Sequence, residues 1–139
     1  MHRFSRFAFC FVALPLAFAL SAAAPAFGAD QAPQVTPLLS KELTDIDNKE
    51  VVMLTVEYKP GQSSAPHRHN AHTFVYVLQG ALMMGVKGHE PVRVETGQTF
   101  YESPTDVHTV SRNASDSAPA KFLVFFIKDK GAPANVPAD

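Results

Sequence analysis

From about residue 50 onward, apolar and polar positions fall into short β-type runs. Residues 51–58 (Val-Val-Met-Leu-Thr-Val-Glu-Tyr) are rich in β-branched side chains and close on Lys59-Pro60-Gly61, which predicts a strand ending in a turn. Residues 73–78 (Thr-Phe-Val-Tyr-Val-Leu) predict a second strand, ended by Gln79-Gly80. Residues 81–86, 92–94, 99–101, 107–111 and 121–127 predict further strands, with Lys87-Gly88-His89-Glu90-Pro91 and Thr96-Gly97-Gln98 as turns between them. No stretch of helical length carries a 3.6-residue apolar period. Many short strands bounded by Gly or Pro read as one all-β barrel or sandwich. Because residues 73–78 are apolar on both faces, their sheet is expected to be packed inside and covered outside. Residues 29–34 and 129–139 lack apolar periodicity and carry Pro. They are expected to be a linker and a flexible C-terminal tail around a domain at 35–128.

The opening segment follows different rules. Arg3 and Arg6 precede an apolar run from Phe7 to Leu20, and the small residues Ser21-Ala22-Ala23-Ala24-Pro25-Ala26 come next. That order is the one found in a secretory signal peptide, with cleavage expected after Gly28 and a periplasmic or secreted product. An uncleaved anchor is the competing reading, but Pro15 interrupts the run and the small-residue tail suits cleavage. No stable membrane association is expected after cleavage. Cys10 lies in the middle of the apolar run and reads as one more small apolar residue.

Composition narrows the chemistry. A chain of 139 residues has room for one domain. Its 12 basic and 13 acidic side chains give no basic footprint, so no nucleic-acid partner is expected. Removing residues 1–28 takes Arg3 and Arg6 away, leaving ten basic side chains against thirteen acidic ones, a net −3. The single cysteine excludes an internal disulfide and any multi-thiolate metal site. What remains for chemistry is His, Asp, Glu, Ser, Thr and Tyr.

The histidines form the strongest pattern. In an extended segment positions i and i+2 share a face, so His67 and His69 can converge on one point. A metal ion needs such a pair, together with a third ligand from a neighbouring strand.

The run Gly61, five residues, His67-Arg68-His69, three residues, Thr73, six residues, Gly80 resembles the first motif of the cupin superfamily. Gly97, eleven residues before His108, is similar to the second. The resemblance implies a double-stranded β-helix, a jelly-roll barrel of six to eight strands with one site inside. It also implies His67, His69 and His108 as ligands of a divalent ion (Fe, Mn, Ni, Zn or Cu), and a homodimer formed through outer strands. The departures are specific. Thr73 stands where the family usually has a glutamate, Ser103 and Thr105 stand at the Pro and Gly of the second motif, and Arg112 takes the closing asparagine's position, with Asn113 beside it.

Three residues are candidates to make up for the missing carboxylate. The Thr73 hydroxyl could bond a metal-bound water. His72 could serve only if the chain at Asn70-Ala71 twists the register. Glu102 is the third. By alternation from Thr73, Val75 and Val77 are expected to face the pocket, joined by Phe100. His89 reads as a turn residue, Met53, Met83 and Met84 as core filling, Asp106 as a loop charge, and Tyr76 and Tyr101 as packed with hydroxyls toward solvent. The functional expectation is an exported metal-binding cupin acting on a small organic molecule, with metal-dependent dioxygenase chemistry as one outcome. A non-catalytic binding module, or an interaction protein with a degenerate site, is the alternative; fold alone does not choose.

Overall fold

A computed structural model describes residues 32–138. The expected signal peptide, residues 1–28, lies outside the described residues. Eleven strands and no helix occur among the described residues. They are β1 (Gln34–Leu43), β2 (Lys49–Tyr58), β3 (Ser63–Ser64), β4 (His67–Arg68), β5 (His72–Gln79), β6 (Ala81–Val86), β7 (Val92–Glu95), β8 (Thr99–Glu102), β9 (His108–Asn113), β10 (Ala120–Asp129) and β11 (Val136–Pro137). All pairings are antiparallel. One sheet runs β1-β2-β10-β5-β8; the other runs β11-β4-β9-β6-β7, with β3 also on β9. The chain is an all-β single domain, as the strand pattern predicts.

Period-2 alternation builds the core. On β5, Thr73, Val75 and Val77 are buried while His72, Phe74 and Tyr76 are exposed. On β10, Phe122, Val124 and Phe126 face the same interior. Leu82 and Met84 of β6, Val94 of β7 and Tyr58 of β2 meet them from the other strands. Each large apolar side chain fully removed from water contributes about 1.5–3 kcal/mol, the main force closing one sheet over the other. The turn after β5 depends on Gly80, whose φ is +73°. A Cβ there would sit 2.8 Å from the Pro119 carbonyl oxygen.

Two expectations are corrected, and one strand lies where none was expected. The outer face of β5 is open, leaving Phe74, Tyr76 and Leu78 each more than two-fifths exposed. β1 carries no readable signal. It is an edge strand exposed at every position from Gln34 to Glu42, and a register shift at Pro37/Leu39 breaks its period. The second correction concerns residues 129–139, which do not simply trail away. β10 runs through Asp129, and β11 returns to pair Val136 with Arg68 and Pro137 with His67. Buried Lys128 pairs with Glu50 and donates to the Ala132 carbonyl at 2.5 Å, and Gly131 N donates to Glu50 at 3.0 Å. These contacts set the course of the returning segment.

Candidate metal centre

The strand pairing assembles three imidazoles. His67 lies on β4 and is the direct partner of His108, the first residue of β9. His69 follows β4 immediately, before Asn70 turns the chain with φ +50°. Ring centroids lie 4.7 Å (His67–His69), 5.0 Å (His67–His108) and 6.3 Å (His69–His108) apart. One nitrogen from each of the three lies within 4.8 Å of the others.

Backbone carbonyls fix two of the rings. His67 Nδ1 is 2.7 Å from the Ala65 oxygen and His69 Nδ1 is 2.7 Å from the Ala134 oxygen. A carbonyl can only accept, so both Nδ1 atoms carry the hydrogen, and in the neutral ring it is Nε2 that keeps the lone pair. Oriented imidazoles of this kind are what a metal site requires. His108 has both ring nitrogens buried without a hydrogen-bond partner. A buried polar atom left unpaired costs about 1–3 kcal/mol, a cost a bound cation would offset. Burial above all, then the neighbouring imidazoles, holds His108 down to about 3. Burial likewise lowers His69 to about 4, against the opposing pull of the Ala134 carbonyl. Both rings are therefore neutral donors at ordinary pH. The donor set fits a divalent metal.

Among the other candidates, Glu102 is brought in and His72 is excluded. Glu102 is 2% exposed, and its Oε2 lies 3.1 Å from His108 Nδ1 and 3.8 Å from His69 Nε2. The contact with His108 is close but misaligned for a hydrogen bond. Burial, reinforced by Asp106, pushes this carboxyl up to about 8. His72 sits on the outer face, its Nδ1 2.7 Å from the Tyr101 hydroxyl, because the turn at Asn70 does not shift it into the barrel. Tyr101 thus has a partner rather than solvent alone. Thr73 faces inward, its hydroxyl directed at the Ala71 carbonyl at 3.5 Å.

A cavity of about 370 Å³ adjoins the histidines. Val75 lines it, with Leu54, Val56, Phe122, Val124 and Phe126. Val77 is fully buried but belongs to the core rather than the cavity wall, a correction to its expected place. Phe100 stacks on His108 at 6.1 Å and also stands behind the wall. Nothing in the sequence pointed to the polar floor. The Tyr58 hydroxyl lies 2.6 Å from Ser64 Oγ and 2.8 Å from Ser111 Oγ, and all three residues line the cavity. Nor could it reveal Ala134, which acts through its backbone.

Asn113 resolves one departure from the expected spacing. A register shift pairs Gly85 with Val110 but Val86 with His108, leaving Thr109 as an extra residue on β9. The bulge reverses alternation, so His108, Ser111 and Asn113 are all buried. Asn113 Nδ2 then donates to the Lys59 and Ala118 carbonyls at 3.0 and 2.8 Å.

Fold and site together define a small double-stranded β-helix with a three-histidine site inside its barrel. The sequence profile described as "Cupin domain" matches residues 54–126, more than half of the chain. The chain belongs to the cupin family. Its fold is similar to that of a double-stranded β-helix protein from Klebsiella pneumoniae, at 18% identity and a TM-score of 0.62, covering 84% of this chain and 99% of that one. It is also similar to oxalate oxidase in complex with glycolate, at 22% identity and a TM-score of 0.58, covering 84% and 60%. The DMSP lyase DddQ from Ruegeria pomeroyi matches at 22% identity and a TM-score of 0.55, covering 63% of this chain and 43% of the lyase. The chain thus spans less than two thirds of either enzyme. No curated protein matches its sequence.

Proposed function

We propose that this protein binds one divalent ion (Fe, Mn, Ni, Zn or Cu) through His67, His69 and His108 and takes a small organic molecule into the adjoining cavity. The observation that carries this reading is the meeting of three ring nitrogens within 4.8 Å beside a largely apolar space of about 370 Å³. Neighbours named for oxalate and DMSP support a small-molecule substrate. When bound, the ion supplies Lewis acidity and, if redox-active, dioxygen chemistry of the dioxygenase type. The chain's own residues do the rest. Val75, Val124 and Phe126 exclude water and receive an apolar body, while the Tyr58–Ser64–Ser111 hydroxyls offer hydrogen bonds to a polar end. Thr73 in place of the family's usual carboxylate favours a second reading, binding without turnover; oxygen uptake with phenolic or diketone substrates separates the two.

The basic, apolar and small-residue order of residues 1–28 supports export to the periplasm or beyond, and N-terminal sequencing of the exported protein tests it. The working form is a homodimer. Its contact lies on the open face of β5 around Phe74, Tyr76, Leu78 and Tyr101. The ion pairs Lys121–Glu57 and Lys49–Asp129 give that apolar face a charged rim, the anatomy of an interface, and light scattering reads the mass.

Elemental analysis tests the metal site directly. About one equivalent is expected in the purified protein, lost in H67A and H108A. Below about a tenth of an equivalent, with no thermal shift on adding any of the five ions, the reading fails.

A further inference from the structure

We propose that Glu102 is the fourth protein ligand of this metal site, supplying from β8 the carboxylate that position 73 on β5 lacks. The proposal rests on the reading of His67, His69 and His108 as ligands. Thr73 and Glu102 are direct partners in the β5–β8 ladder. Directly opposed residues of an antiparallel pair project from one face with Cβ atoms about 4.5–5.5 Å apart. A glutamate at either position can therefore reach the same point in the barrel, and the ligand has in effect crossed to the neighbouring strand.

The surroundings of Glu102 point the same way. Both residues of the pair are almost wholly buried, at 1% and 2% exposed. Glu102 Oε1 has no hydrogen-bond partner, and the ion-pair contacts of Oε2 are to His108 and His69. A buried carboxylate without a firm partner is costly, and a divalent ion among three neutral imidazoles would offset that cost. Oε2 stands 3.8 Å from His69 Nε2 and 3.1 Å from Nδ1 of His108, one of that ring's two unpaired nitrogens. The carboxyl thus lies beside the three-nitrogen cluster rather than within its 4.8 Å set. A side-chain rotation brings it to the donor separation of about 3–3.5 Å that a shared ion imposes. His69 Nε2 is the nitrogen left with a lone pair once Nδ1 donates to Ala134, so Oε2 approaches that ring on its metal-binding side. The one-residue-wide exchange is available only because β5 and β8 are neighbours at the edge of their sheet.

The experiment compares wild type, E102Q, E102A and the double variant E102A/T73E. Zn²⁺ affinity is read by chelator competition, Cu²⁺ coordination by electron paramagnetic resonance, and folding by thermal scans. Loss of an orienting partner alone weakens a metal site about 10–100-fold. As a ligand, Glu102 should cost at least about 100-fold in both E102Q and E102A and change the Cu²⁺ spectrum. T73E should then restore affinity in the E102A background, since it returns a carboxylate to the same face; a merely positioning role gives no such rescue. E102Q with wild-type affinity and spectrum overturns the assignment, as does a folded E102A/T73E no tighter than E102A. Failure of wild type itself to bind Zn²⁺ or Cu²⁺ strikes the histidine reading instead, so the two failures are distinct.

Discussion

Removing metal with a chelator should leave a protein whose stability peaks near pH 6.5 and falls on both sides. In the fold, burial takes His69 to about 4, His108 to about 3 and Glu102 up to about 8. Between about pH 4 and 8 the three groups therefore hold one proton together. Whether it sits on Glu102 or is shared with His108, 3.1 Å away, the count is the same. Unfolding returns the histidines to about 6.5 and the carboxyl to about 4.5. At pH 5.5 the unfolded trio holds close to two protons, so stability is lost as pH falls. At pH 7.5 it holds close to none, so stability is lost as pH rises. Each proton of difference is worth about 1.4 kcal/mol per pH unit. The alkaline limb should then cost about 1 kcal/mol between pH 6.5 and 8, because the unfolded histidines give up their protons gradually over that range. Urea melts of the chelated protein at half-unit intervals measure it. E102Q should lose the alkaline limb and steepen the acid one, and saturating Zn²⁺ should also abolish the alkaline limb by holding the carboxylate ionised. Chelated wild type that gains stability from pH 6.5 to 8 would refute the reasoning.

Truncation after Lys130 removes β11 and the Ala134 carbonyl that orients His69, and should weaken Zn²⁺ binding about 10–100-fold in the same competition assay. H72A should leave Zn²⁺ affinity within about twofold of wild type, because that ring lies outside the barrel against Tyr101; a larger loss would return His72 to the ligand set. G80A places a Cβ 2.8 Å from the Pro119 oxygen at φ +73° and should cost about 1–3 kcal/mol in urea unfolding. L82A empties a fully buried core position and should cost about 2–5 kcal/mol by the same measurement.

Alternation and turn residues made seven strands, the all-β class and the three histidines readable in the sequence, because period-2 burial and motif spacing are local properties. Residues 81–86 match β6 end to end, and 51–58 fall inside β2. β1 was illegible for a physical reason: an exposed edge strand containing a proline and a bulge has no buried face to leave a pattern. The returning strand β11 pairs through two residues, too few to show a period.

What the sequence determined by itself is a β domain with His67, His69 and His108 spaced to share an ion, and a threonine where a carboxylate is usual. Only the tertiary structure decided which acid stands nearest those histidines and what holds the rings. Glu102 is 29 residues from Thr73 in the chain and opposite it in the ladder, and Ala134 meets His69 across 65 residues through a carbonyl that every residue type carries. Spacing along a chain encodes which side chains share a strand face. Pairing between strands, made by backbone groups blind to side-chain identity, settles which faces meet.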